Sequence, residues 1–305
     1  MMIKLKYFPE GVNDKLLANF KSFDEVKEAI RTGQVYEGRV IMCDREHNLH
    51  IDLGGFVGII YRSEGALGVL EGEVRDIALI SKVGRFVCFK VIGFRRNDSG
   101  KREIVLSRRL VQYNCKKEYI DSLSPGDIIS ARVTRLEGFG AFIDIGAGIN
   151  SLIPIDMLSV SRISHPRERL KEGQLLRCAL RKREDGKLTF TLKELLGTWE
   201  QNAAEFTVGE TVKGVVRSVE SYGIFVELAP NLAGLAESNP KFEAGQRVSV
   251  FIKSIIPEKM KVKLVIVDSF SDSAVVPLKY YITEGKINAF RYSPECSEKL
   301  IETVF

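Results

Sequence analysis

Residues Ala131 to Gly146 read ARVTRLEGFGAFIDIG, and residues Gly214 to Ala229 read GVVRSVESYGIFVELA. The second stretch repeats the shape of the first about 80 residues later, which predicts a small domain present more than once. The second half of each copy alternates as a half-buried strand does. Ala141, Ile143 and Ile145 share one face and Phe142 lies with Asp144 on the other; Ile224, Val226 and Leu228 share a face opposite Phe225 and Glu227. A large ring is thus directed to water twice, at one repeat position. Three residues upstream stand Phe139 and Tyr222, each followed by a glycine, Gly140 and Gly223. An odd spacing puts two side chains on opposite faces, but a bulge at the glycine would turn both rings outward. Each repeat would then carry a two-ring platform suited to stacking nucleobases.

The rest of the chain sets limits. With 305 residues, 45% of them hydrophobic, it is long enough for two or three sealed cores. A net charge of +5 is compatible with an anionic partner without demanding one. Five cysteines, Cys43, Cys88, Cys115, Cys178 and Cys296, are odd in number and widely spaced, and read as reduced thiols. The opening MMIKLKYFPEGVNDK has no apolar run of the signal-peptide kind and no later stretch reaches membrane-spanning length, so a cytoplasmic protein is expected. There is no P-loop, no His-Glu-x-x-His, no Gly-x-Ser-x-Gly and no acidic cluster spaced for two-metal chemistry. We therefore expect no enzyme and no cofactor. Asp144 and Glu227 provide one carboxylate per repeat, which makes no acid and base pair; they are expected on the solvent face or as hydrogen-bonding groups for a base or ribose.

The pattern G/A-x-V-x-x-x-x-x-F/Y-G-x-F-V/I-x-L/I, followed by EGQLLRCALRKREDGKLTFTLKE in one copy and AGQRVSVFIKSIIPEKMKVKLVIV in the other, resembles the S1 RNA-binding domain. Upstream, NLHIDLGG aligns with GAFIDIGA and marks a divergent third copy with Leu49, Ile51 and Leu53 turned inward. The resemblance implies a mainly β chain of three tandem five-stranded OB-type (S1) barrels joined by short helices, with a small C-terminal extension. The expected divisions are an N-terminal segment with a short helix (1–33), a divergent S1-like domain (34–107), a linker helix (108–125), an S1 domain (126–193), a second linker helix (194–207), a third S1 domain (208–270) and the extension (271–305). Ser22, Glu25 and Gly33 mark the ends of the first helix. In the first linker Leu110, Tyr113 and Ile120 are expected on one side of the helix, and in the second Trp199 is expected to wedge two domains together. The tail reads as a hairpin turning at Glu284-Gly285 and a short helix opened by Ser293-Pro294-Glu295, with Tyr280, Tyr281, Phe290, Arg291 and Tyr292 expected to cover an edge or opening of the third barrel in preference to forming another RNA surface.

In the S1 family the RNA site consists of two aromatics, a basic residue on the first strand, a histidine on the third strand, and an Asp and an Arg flanking the last hairpin. The resemblance carries Phe139, Phe142, Arg132 and Lys187 into that site in the second repeat, with Pro154 in place of the His and Arg183 in place of the Asp. In the third repeat it carries Tyr222, Phe225 and Lys261, with Glu237, Pro257 and Val215 replacing the His, the Asp and the first-strand base. Rings and one cation remain, which implies stacking plus charge with weak sequence preference. In the first repeat the ring positions hold His47 and His50, with Asn48 for the glycine. These are read as a degenerate stacking site, as a metal site with Cys43, or as plain hairpin residues; no fourth zinc ligand follows at a suitable spacing. Basic residues Arg95, Arg96, Lys101, Arg102, Arg108 and Arg109 gather near the ends of the first barrel and read as a solvated face whose charge nearby acids largely cancel, and Arg162, Arg167 and Arg169 form either a basic rim or an ordinary His-Pro loop.

The bacterial ribosomal protein S1 family is similar over about Gln34 to Asp268. That resemblance implies a translation protein holding single-stranded RNA, messenger RNA in particular, with the first domain docking on the small ribosomal subunit. Two other readings stand beside it: an RNA-binding regulator in decay or stress response, and a protein-interaction scaffold built on OB barrels.

Overall fold

A computed structural model of the protein describes residues 7–96, 100, 102–271 and 277–305. These fold as two compact units, Met1–Leu123 with Asp144–Asn150, and Ser124–Ile143 with Ser151–Phe305. Among the described residues no helix is long and apolar enough to cross a membrane.

In the first unit a 3-10 turn, Asp14–Leu16, precedes helix α1 (Phe23–Thr32), which is capped as the sequence predicts: Ser22 accepts from the Glu25 amide at 3.3 Å and Gly33 ends the helix at φ 61°. Strands β1 (Tyr36–Cys43), β2 (Leu49–Asp52), β3 (Val57–Ile60), β4 (Phe86–Arg96) and β5 (Arg102–Ser107) close into a barrel in the order β1-β2-β3-β5-β4. Only the β3–β5 pair is parallel. Leu49, Ile51 and Leu53 are fully buried at its centre, as alternation requires. A short helix α2 (Ile77–Ile80) lies in the segment between β3 and β4.

Helix α3 (Arg108–Glu118) turns a different face inward from the one its apolar spacing suggests. Arg108, Val111, Gln112 and Cys115 are buried, while Leu110 and Tyr113 are exposed. Two polar residues win the interior because partners distant in sequence satisfy them. Arg108 donates from Nε to Glu10 at 2.6 Å, and Gln112 donates to the Ala147 carbonyl at 3.0 Å. Burial alone would raise the Glu10 carboxyl, but Arg108 and Lys82 hold it below the usual carboxylate range.

The second unit holds two more closed barrels. One is built from β6 (Ile128–Glu137), β7 (Gly140–Asp144), β8 (Asn150–Pro154), β9 (Leu175–Glu184) and β10 (Lys187–Thr191). The other is built from β11 (Thr211–Glu220), β12 (Gly223–Ala229), β13 (Leu232–Ala236), β14 (Arg247–Ile256) and β15 (Lys261–Phe270). Their connector is a 3-10 turn, Lys193–Leu196, and the short helix α4 (Trp199–Ala203). Trp199 is buried in one apolar cluster with Ala179 of β9, Leu195, and the core of the third barrel, the wedge its sequence position suggested.

The tail departs from expectation. Glu284-Gly285 turns no hairpin; the chain there lies along the start of β6, where Ile128 donates to the Gly285 carbonyl at 3.0 Å and Ile287 to the Gly126 carbonyl at 2.9 Å. The approach is so close that a Cβ on Gly126 (φ 88°) would sit 1.8 Å from the Ile287 oxygen. Residues 293–301 form no helix; they lead from β16 (Ala289–Arg291) to β17 (Glu302–Val304), which pair with each other. Phe290 and Tyr292 are buried with the third barrel's core, and Tyr292 donates to the Asn231 carbonyl at 2.6 Å. Backbone groups that a hairpin or helix would have satisfied locally are taken up by the barrels instead.

Candidate nucleic-acid interface

The two ring pairs come together on the second and third barrels. Phe139 and Phe142 have centroids 5.8 Å apart with planes at 89°; Tyr222 and Phe225 lie 6.1 Å apart at 87°. Phe139 is 57% and Tyr222 68% exposed, while Phe142 and Phe225 are half-buried on the outer faces of β7 and β12. The leading ring sits in the turn before its strand, so strand alternation does not bind it, and the expected bulge is not needed between the rings. The glycines serve another purpose. A Cβ on Gly140 would stand 2.5 Å from the Ile153 carbonyl oxygen, and one on Gly223 would stand 2.6 Å from that of Ala236. Glycine therefore lets the next strand lie close beside the start of the ring-bearing one. In the pairing of β11 with β12 the register shift falls on β11, between Val216 and Ser218, and not between the rings.

The cations sit around these rings in different ways. Lys187 opens β10 after the turn at Asp185 (φ 48°), and Lys261 opens β15 after Met260 (φ 46°); both are exposed. Arg132 is half-buried and donates from Nε to the Gly173 carbonyl at 3.3 Å. Register adds a cation that motif matching passed over. Phe225 pairs with Leu235, and Leu235 with Lys263, so ring, leucine and ammonium form one row across β12, β13 and β15. In the second barrel Leu152 lies beside Gly140 as Leu235 does beside Gly223, and its partner on β10 is the uncharged Thr189. The spacing of Lys259, Lys261 and Lys263 in the sequence predicts one shared face; Lys259 lies in the 3-10 turn before β15, and strand pairing shows that Lys263 lines up with the ring.

Two expectations about polar groups are overturned. Asp144 and Glu227 are not solvent-face residues or base contacts: they are 3% and 2% exposed. Asp144 accepts from the amides of Gly146, Gly148 and Glu10 at 2.8, 3.0 and 2.8 Å, and burial and the nearby Glu10 carboxylate push its carboxyl up. Glu227 is covered by Arg217, whose Nε donates at 2.7 Å, and by Arg169. Arg169 is accordingly no phosphate-reaching rim residue; its side chain has 0% exposure. Arg162 and Arg167 do remain exposed. The loop is an ordinary His-Pro turn in its backbone, with His165 capping Pro166–Glu168.

The first barrel lacks the rings. His50 lies 3.1 Å from Asp44 and His47, at φ 63°, lies 3.6 Å from Asp76, so each imidazole faces a carboxylate. Cys43 and the two histidines do not converge: among the described residues no group of three potential metal ligands is present. Lys101 lies outside the described residues.

Known proteins resemble this chain in the same terms. A family model described as "S1 RNA binding domain" matches residues 122–183, over the second barrel. The small ribosomal subunit protein bS1 homolog of Bacillus cereus (strain ATCC 10987 / NRS 248) is 29% identical over 301 residues, covering 90% of this chain and 75% of that protein. The bS1 homolog of Bacillus subtilis (strain 168) is 32% identical over 185 residues, 55% of this chain and 48% of that one, so the match spans about half of that relative's length. Staphylococcus aureus (strain COL) bS1 is 28% identical over 276 residues, 84% of this chain and 67% of its own length. The chain thus holds three closed five-stranded barrels, matches the S1 RNA-binding domain over residues 122–183, and is similar over most of its length to small ribosomal subunit protein bS1.

Proposed function

We propose that the chain is a non-catalytic protein that holds single-stranded RNA, messenger RNA in particular, and works in translation at the small ribosomal subunit in the cytoplasm. The observation that carries this is the recurrence of an outward, nearly perpendicular ring pair at the same place in two barrels. Bases stack on Phe139, Phe142, Tyr222 and Phe225 while Arg132, Lys187, Lys261 and Lys263 meet phosphates. Because the planes in each pair stand at right angles, each ring offers its own face, and successive bases turn between them. Hydrogen-bonding groups of the family's recognition set are replaced at Pro154 and Glu237, which supports weak base preference. The first barrel, with His47 and His50 beside aspartates in place of rings, serves as a tether to the subunit. The similarity to bS1 supports that assignment.

Fluorescence anisotropy with a labelled single strand of about 12 nucleotides tests the reading. Phe142→Ala with Phe225→Ala should weaken binding by about 1–3 kcal/mol per base that loses its ring, with circular dichroism unchanged. Equal affinity in the two proteins would overturn it and favour a protein-binding scaffold. Co-sedimentation with small ribosomal subunits tests the tether.

A further inference from the structure

The loop between β8 and β9 runs from one ring pair to the other. At its start Ile155 donates to the carbonyl of Phe139 at 2.9 Å. At its far end Glu168 pairs with Arg217, and Arg169 pairs with Glu227, which stands two residues beyond Phe225 on β12. Between these points Ser161 donates to the Pro230 carbonyl at 3.0 Å, and Val160 to the Asn231 side chain at 3.0 Å. Asn231, itself buried, donates back to the carbonyls of Lys193 and Gly197 at 2.7 and 2.9 Å.

Burying two charges to join two barrels is a costly way to gain stability, since desolvation offsets most of the attraction. The group is not even fully satisfied: Oε1 of Glu227 has no hydrogen-bond partner among the described residues. What a buried charged pair supplies that an apolar contact does not is a single permitted arrangement, because any slippage strands a charge. Here the arrangement being fixed is that of the Phe139–Phe142 pair relative to the Tyr222–Phe225 pair.

We propose that Arg169 and Glu227 are positioning residues that make the two ring pairs one bipartite site for a single continuous RNA strand. The proposal rests on the RNA-binding reading above and adds to it a ligand requirement: a strand long enough to engage both barrels. Binding at one barrel then holds the strand at a set distance from the other, so affinity gains from length without any new contact.

The test compares an oligouridylate of about 5 nucleotides, enough for one barrel, with one of about 24. The natural chain should bind the long strand at least about 10-fold more tightly, beyond the gain expected from more sites per strand. Arg169→Ala and Glu227→Gln should lose that length-dependent gain and leave the short-strand affinity unchanged; Arg169→Lys should restore part of it. A gain retained in both variants overturns the proposal. Loss of short-strand binding together with the far-ultraviolet dichroism spectrum would mark a folding defect, and the decision then falls to the natural chain alone. Two uridine tracts joined by abasic spacers of graded length should show one sharp optimum, whereas a broad, slowly falling dependence means the barrels are not held in register and overturns it. No binding to any oligonucleotide refutes the RNA-binding reading itself.

Discussion

Lys263→Ala separates the register of the third barrel from the motif it was read through. Phe225, Leu235 and Lys263 occupy one row over three strands, so at about 4.8 Å per strand Lys263 begins about 10 Å from Phe225. From there an extended lysine reaches the phosphate of a nucleotide whose base lies on the Phe225 ring. Lys261 is on the same face but two residues earlier, about 7 Å further along β15. For single strands each neutralised phosphate contributes about 0.7 to the slope of log affinity against log salt. Lys263→Ala should therefore flatten that slope by about 0.7, and its deficit against the natural chain should shrink about 2.6-fold between about 50 and about 200 mM salt. Phe225→Ala should do the reverse, lowering affinity with the slope intact, because stacking releases no counterions. Lys213→Ala is the control: that ammonium lies 5.3 Å over the Phe270 ring, and its loss should leave the slope unchanged. The assay is anisotropy with one labelled oligonucleotide across a salt series. An unchanged slope in Lys263→Ala, with a flattened one in Lys261→Ala, would refute the assignment by strand pairing and return the role to the motif position.

Two further outcomes concern stability. Trp199 is 3% exposed among residues of both barrels of the second unit, so Trp199→Ala should cost about 3–5 kcal/mol, read as an earlier midpoint in urea unfolding followed by tyrosine absorbance. A cost below about 1 kcal/mol would mean that the connector is not wedged there. In the first unit Glu10 is held below its unfolded value by Arg108 and Lys82, so the fold binds fewer protons there than the unfolded chain does. Its contribution is present above the unfolded value of about 4.3 and is lost as pH falls below it, through the depressed folded value. Glu10→Gln should be less stable at pH 7 and should lose less on acidification; an acid limb identical to that of the natural chain would contradict this.

The barrels and their ring pairs were legible in the sequence because both depend on local pattern. A period of two residues sets which side chains enter a barrel and which face water; the close strand approach at Gly140 and Gly223 was not legible, since the glycines read as a bulge. The caps of α1 were equally local. Asp144, Glu227, Arg108 and Arg169 were misread for one shared reason: a polar residue is buried when a partner arrives from elsewhere in the chain, and no periodicity announces that partner. The tail around Glu284-Gly285 was misread in the same way, since its backbone there bonds to Gly126 and Ile128 and not across a turn of its own. Sequence by itself thus determined the repeat, the inward faces and the outward rings, all consequences of alternation along a strand. Only the tertiary structure decided that Lys263 stands in line with Phe225 and that Arg169 and Glu227 join two barrels, because register across strands and charge pairing between segments exist only once distant parts of the chain have met.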